Sequence, residues 1–145
     1  RNISKVKTTF DGNYRSVYLP IMRSFVPQIL QTFDFAEPSM VKGNRDITTV
    51  PTQALYLMNN PFVIRQSKNL ARTLMDKKSL TSAERIELAY KLALSRKPTA
   101  FEAIRSLTYL KTFQERQAKG ASPELNALAS LCHALFSVAE FRYLN

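Results

Sequence analysis

The sequence predicts an all-α protein, an irregular bundle of about five helices with an extended N-terminal arm and a long loop. Three observations predict this class. From residue 51 onward, apolar residues recur every three to four positions, which is helical spacing. Proline, or a polar residue able to cap a helix, stands where each helix would begin. Only three glycines occur among 145 residues, too few for the tight turns of an all-β fold.

The first fifty residues lack a sustained helical stripe. Residues 1–13 are interpreted as an extended arm, and Pro20 and Pro27 can each open a short helix. Residues 34–49 are rich in turn-forming residues and form the longest irregular segment of the chain. We therefore predict one helical domain over 1–145, with the arm and loop in 1–50 and the bundle in 51–145.

Two helices are predicted in succession after the loop. Pro51 fits the first position of one helix, and Asn60 with Pro61 marks its end and the start of the next. The apolar face of the first helix is predicted to consist of Ala54, Leu55, Leu57 and Met58. The second helix is amphipathic. Its apolar face consists of Val63, Ile64, Leu70, Ala71, Leu74 and Met75. Its basic face consists of Arg65, Lys68 and Arg72.

The third and fourth helices each follow a polar cap. Thr81 or Ser82 caps the third, whose apolar residues between Ile86 and Leu94 lie nearly all round the helix. This distribution predicts that the third helix is the central element of the bundle. Thr99, followed three residues later by Glu102, is a capping box that starts the fourth helix.

The fourth helix is predicted to run to about Lys119 and to stop at Gly120, a left-handed cap. Ser122 with Pro123 then marks the start of a fifth helix, and a last turn is predicted over 139–143. The buried stripe of the fifth helix is predicted to consist of Leu125, Leu128, Ala129, Cys132, Leu135 and Phe136.

The net charge of +10, from 21 basic and 11 acidic residues, predicts attraction to an acidic partner. Nucleic acid is disfavoured, because no helix-turn-helix spacing occurs and the tyrosines are not interleaved with the basic residues. Acidic polysaccharide and acidic protein remain as candidate partners. No apolar run approaches the ~20 residues of a membrane span.

The residue types needed for catalysis or metal binding are scarce. One histidine and one cysteine cannot build a Cys/His metal site. Cys132 and His133 are adjacent on a helix, so their side chains diverge by about 100°. Three scattered glycines cannot form a phosphate-binding or dinucleotide-binding loop. We therefore assign no catalytic residue, cofactor or metal, and leave open whether the chain is part of an enzyme.

Several stretches carry a family resemblance: Arg15–Pro20, Phe33–Phe35, Thr48–Leu55 with Met58–Asn59, Leu94–Thr99, and Leu131–Leu135 followed by Glu140–Phe141. Their order and spacing resemble the C-terminal part of the planctomycete PSD-one domain, a domain of unknown function numbered fifteen-fifty-three. The resemblance implies a fragment of a large exported protein, periplasmic or at the cell surface. It also implies companion domains, often with a c-type cytochrome-like module. No catalytic residue is carried over from the family.

The candidate contacts for an anion or a partner are Arg15, Arg45, Thr48, Thr49, Gln53, Arg65, Lys68 and Arg72. Thr48, Thr49 and Gln53 lie where the loop meets a helix start, whose free N–H groups could hold an anion. The alternative is that they cap the helix and clamp the loop.

Our leading functional hypothesis is a non-catalytic accessory or interaction domain of an exported multidomain bacterial protein. It would dock other domains of the same protein through its aromatic N-terminal quarter and its basic faces, and it predicts exposed apolar area in that quarter. One alternative is a module that binds anionic polysaccharide. The other is part of an enzyme whose remaining site residues lie upstream.

Overall fold

The computed structural model describes residues 18, 26–33, 35, 51–117 and 121–142. Over these residues it contains no strand and seven helices: α1 (Gln28–Thr32), α2 (Pro51–Asn59), α3 (Pro61–Asp76), α4 (Ser82–Leu94), α5 (Ala100–Arg116), α6 (Pro123–Ser137) and α7 (Ala139–Arg142). The predicted all-α class is confirmed. The arm over 1–13, the helix after Pro20 and nearly all of the loop over 34–49 lie outside the described residues.

The chain divides into two compact units, Arg1–Tyr56 and Leu57–Asn145. In the first unit, α1 follows Pro27, which stands at the cap rather than at the first helical position. The ring of Phe33 packs edge-on against that of Tyr56, with centroids 5.7 Å apart, and burial raises the pKa of Tyr56. The single-domain organisation over 1–145 stays a prediction.

Helix α2 buries a different face from the one predicted. Gln53 and Leu57 are its buried residues, one turn apart, whereas Leu55 and Met58 are exposed. Residues four apart share one side of a helix, and Leu55 and Met58 lie nearly half a turn round from Gln53. The prediction of an apolar face was therefore wrong for these two residues, because the polar residue Gln53 lies on the buried side of the helix.

Helix α6, not α4, is the central element of the second unit. It packs against α3, α4, α5 and α7, and Ala127 and Cys132 on it are fully buried. Such small side chains let several helices approach closely. Helix α4 also packs against four helices, but it contributes three buried residues against six from α6, and its Leu92 is 56% exposed. The prediction that α4 is the central element was therefore wrong. The core consists of Ala71, Leu74, Ile86, Ala89, Tyr90, Leu110, Ala127, Leu128, Ala129, Leu131, Cys132 and Leu135.

Local capping explains where α4 and α5 begin. Thr81 is the cap of α4 and forms a capping box with Glu84. The predicted box of α5 is confirmed: the Thr99 N–H donates to Glu102 Oε2 at 2.7 Å, and the Glu102 N–H donates to Thr99 Oγ1 at 3.3 Å. The end of α4 is closed by Ser95 in the left-handed region, at φ 58°.

The beginning of α3 was predicted correctly, since Asn60 Oδ1 accepts the N–H of Phe62 at 2.8 Å. The end of α5 was not. Helix α5 ends at Arg116, short of Lys119, and Gly120 lies outside the described residues. Ser122 precedes α6 as predicted, but its φ is 58° and its side chain makes no capping hydrogen bond. That backbone conformation does not direct the hydroxyl to the free N–H groups of the helix.

Candidate functional site

A dense polar cluster surrounds the guanidinium of Arg96, where α4 ends, α5 begins and α7 packs. Nη1 and Nη2 donate to the two carboxylate oxygens of Glu102 at 2.8 and 2.9 Å. Nε and Nη2 donate to those of Glu140 at 2.6 and 2.9 Å. Nη1 also donates to the Lys97 carbonyl oxygen at 3.0 Å, and the guanidinium lies 5.7 Å from the centre of the Tyr90 ring. All five N–H donors of the arginine are thus used.

The electrostatics of this cluster indicate a structural role, in which it holds helices together, rather than a catalytic one. Arg96, and then the Thr99 N–H, lower the pKa of Glu102 to about 2. Arg96 also lowers the pKa of Glu140, and the two carboxylates raise the pKa of Arg96. A carboxylate with so low a pKa is a poor proton donor near neutral pH. The cluster joins α4, α5 and α7, and every group in it stays charged.

The adjacent Cys132 and His133 serve packing and hydrogen bonding. Burial raises the pKa of the Cys132 thiol to about 12, so it is not a nucleophile at neutral pH. His133 Nε2 lies 3.0 Å from the carbonyl oxygen of Leu57. Because a carbonyl oxygen only accepts, this nitrogen carries the proton and donates it, which fastens α6 to the end of α2.

The residues predicted as contacts are not all brought together. Arg65, Lys68 and Arg72 lie on the exposed face of α3, at offsets of three and four residues. The opposite face of α3 is buried through Val63, Ser67, Ala71 and Leu74. Gln53 is buried on α2, in the first unit. Arg15, Arg45, Thr48 and Thr49 lie outside the described residues. A metal-binding group of three or more His, Cys, Asp or Glu side chains is absent from the part of the chain that the structure describes.

Helix α5 has apolar residues on two opposite faces. Its inner face packs on the core through Leu110, with Phe113 beside it. On its outer face Phe101 is 71% exposed and Ile104 is 66% exposed. These two residues form one end of an open groove of about 450 Å³, the α5 groove, lined by Phe101, Ile104, Arg105, Thr108, Tyr109 and Thr112.

Contacts within the fold hold two lining residues of the α5 groove in place. The Tyr109 hydroxyl lies 2.6 Å from Ser130 Oγ on α6, and its ring packs on that of Phe113 with centroids 5.8 Å apart. The guanidinium of Arg105 lies 6.0 Å from the centre of the Phe101 ring. No carboxylate among the described residues forms an ion pair with Arg105.

Sequence reasoning missed both the Arg96 cluster and the α5 groove. The sequence places Phe101 and Ile104 on the side of the helix opposite to Leu110, but this pattern alone does not distinguish an exposed outer face from a buried one. Exposed apolar area was predicted in the N-terminal quarter instead. There the structure describes Tyr18, which is 75% exposed, and Phe33, which is near 38%; most of that quarter lies outside the described residues.

The chain is thus basic, its described residues form helices and no strand, and an exposed apolar groove lies on α5. The family model described as PSD1, a protein of unknown function (DUF1553), matches residues 2–110. The chain belongs to this family, as its sequence stretches predicted. No curated protein and no solved structure matches the chain. Within the described residues, no helix combines the length and apolar character needed to cross a membrane.

Proposed function

We propose that the chain is a non-catalytic interaction domain of an exported multidomain bacterial protein, and that it docks another domain through the α5 groove. The observation that carries the proposal is the exposure of Phe101 and Ile104 on a helix whose other face already packs on the core. Burying one such side chain stabilises an interface by roughly 1.5–3 kcal/mol. Exposed apolar area with a polar rim is typical of interaction sites.

The multidomain and exported setting is supported by the resemblance to the planctomycete domain, whose large parent proteins also carry cytochrome-like modules. A non-catalytic role is supported by the state of the titratable groups. Arg96 lowers the pKa of Glu102 and of Glu140, so both carboxylates stay ionised. The Cys132 thiol is buried. Within the first unit, Tyr18 of the aromatic N-terminal quarter is also exposed, as docking through that quarter requires.

Thiol labelling of an Ile104→Cys variant tests whether the groove is covered in the longer protein. In the isolated 145-residue chain the new thiol is exposed, so we expect fast reaction with a maleimide. In the multidomain protein a docked domain would shield it, and we expect the reaction to slow by at least about tenfold, since a covered site reacts only when the interface opens. The rate of labelling is followed by mass spectrometry.

Two controls make the comparison specific. The native Cys132 is buried with a raised pKa, so it contributes little background. Lys91→Cys, at an exposed position of α4, is the matched control and should react at the same rate in both proteins. Equal rates for Ile104→Cys in both proteins would contradict the proposal.

The basic face of α3 supports anionic polysaccharide binding as a second candidate function. Lys68 and Arg72 are exposed there, and neither forms an ion pair among the described residues. If this candidate is right, the chain is retained on immobilised heparin and elutes earlier as salt rises. The double variant Lys68→Gln, Arg72→Gln should elute at lower salt than the parent chain. Unchanged elution of that variant would contradict polysaccharide binding through the basic face of α3.

A further inference from the structure

We infer that the partner of the α5 groove is an acidic amphipathic helix belonging to another domain of the same protein. The inference rests on the proposed function and deepens it, because it names the chemistry of the docking segment. Three features of the groove lead to it: its shape, the state of its polar groups and its charge.

The shape of the groove fits a helix. Its lining residues occur at offsets of 0, 3, 4, 7, 8 and 11 from Phe101, which places them in one stripe along three turns of α5. The stripe is about 16 Å long at 1.5 Å per residue. A second helix of about three to four turns can lie along such a stripe at an axial distance of about 8–10 Å, with its side chains between those of α5.

Two hydroxyl groups on the groove wall, those of Thr108 and Tyr109, are already engaged within the protein. Thr108 Oγ1 donates to the carbonyl oxygen of Ile104 at 3.0 Å, within α5. The Tyr109 hydroxyl is engaged with Ser130. A ligand rich in hydroxyl groups, such as a sugar, would therefore find few free partners along this wall, whereas the apolar stripe of an amphipathic helix needs none.

The charge of the groove selects an acidic helix. Arg105 lies inside the groove with no carboxylate partner among the described residues, because the nearby Glu102 is held by Arg96 and Thr99. Helical spacing places Lys111 and Arg116 along the edges of the same stripe and Glu115 between them, all three exposed. With Arg105, the cations along the stripe outnumber this one carboxylate. A carboxylate from a partner would pair with these cations where water is partly excluded.

A second copy of the chain is a poorer occupant. Each copy carries a formal net charge of +10, so two copies repel one another at low salt. An acidic partner gains from the same charge. We therefore assign the groove to a partner helix and treat self-association as an outcome that the experiment must distinguish.

Three labelled synthetic peptides of about four helical turns test the inference with the isolated chain. The first has leucines in one stripe and glutamates on its flanks. The second has the same stripe with lysines, and the third has the composition of the first with the stripe scrambled. By fluorescence anisotropy we expect the glutamate peptide to bind at least about tenfold more tightly than the other two, since only it matches both the stripe and the charge.

Two variants at exposed positions connect this binding to the groove. Ile104→Asp should abolish binding of the glutamate peptide, and Arg105→Glu should shift the preference towards the lysine peptide. Both should keep the circular dichroism spectrum of the parent chain, because neither side chain is in the core. Binding that is unchanged in Ile104→Asp, or equal for the two charged peptides, would overturn the inference.

The remaining outcomes separate this inference from the proposed function. One outcome is that the Ile104→Cys thiol is shielded in the longer protein but the isolated chain shows no preference for the acidic peptide. This result would support the proposed docking function and reject the acidic helix as the partner. A dimer seen by sedimentation and lost in Ile104→Asp would assign the groove to a second copy and overturn the inference. Slow labelling of that thiol in the isolated chain would mean that the chain covers its own groove, and would overturn both.

Discussion

Replacing Leu74 with alanine is expected to lower the free energy of unfolding of the 57–145 unit by about 2–5 kcal/mol. Leu74 is 0% exposed and packs in the core between α3 and α6. Its truncation removes apolar contacts and leaves a cavity that the surrounding helices fill only in part. Urea unfolding followed by far-ultraviolet circular dichroism measures the loss, provided that the dependence on urea keeps its slope.

Leu92→Ala is the matched control for this substitution. Leu92 is also a helical leucine, but it is 56% exposed, so its truncation should cost less than about 1 kcal/mol. A loss of equal size for the two variants would contradict the assignment of α6 as the centre of the core and would place Leu74 outside it.

Acid is expected to remove the stabilisation provided by the Arg96 cluster. The pKa of Glu102 falls from its usual 4.5 to about 2 in the folded chain. A lowered folded-state pKa means that the contribution is complete above about pH 4.5 and is lost as the pH falls towards 2. Because solvent screens the pair, we expect a loss on the order of 1–2 kcal/mol from this carboxyl group.

Unfolding by urea at a series of pH values, from about 6 to about 2, measures this dependence. Arg96→Gln should be less stable than the parent chain near neutral pH, and its stability should vary less over the acid range. Arg116→Gln is the control, since Arg116 is exposed and forms no ion pair among the described residues. The same pH dependence in Arg96→Gln as in the parent chain would mean that the cluster does not stabilise the fold.

The features that the sequence predicted correctly depend on neighbouring residues. Asn60 with Pro61 begins α3, and Thr99 with Glu102 begins α5, because each signal lies within a few residues of the N–H groups it satisfies. The amphipathic pattern of α3 also places its basic residues on the exposed side. Such local signals are sufficient to predict the helical class.

The features that it missed depend on residues far apart in the chain. Glu102 is six residues from Arg96, and Glu140 is 44 residues away, so no local pattern joins the three. The apolar run of α4 resembles that of a central helix, yet α6 contributes six buried residues and α4 only three. Burial of Gln53 in place of Leu55 is likewise a tertiary effect.

The α5 groove shows why exposed apolar residues are difficult to predict from a pattern. Phe101 and Ile104 resemble core residues in the sequence, because a helix that is apolar on two sides is usually buried on both. Helices α4 and α6 pack on the inner side of α5, and the outer side is left uncovered. The exposed groove is therefore a property of the packing, and it lies in a different part of the chain from the predicted aromatic quarter.

The most direct test of the docking proposal is the reactivity of position 104 in the longer, multidomain protein that we propose. A thiol placed there should be protected relative to the same thiol in the isolated chain, while one at position 91 reacts alike in both. If position 104 is as reactive in the longer protein as in the isolated chain, the outer face of α5 is open to water and does not dock another domain.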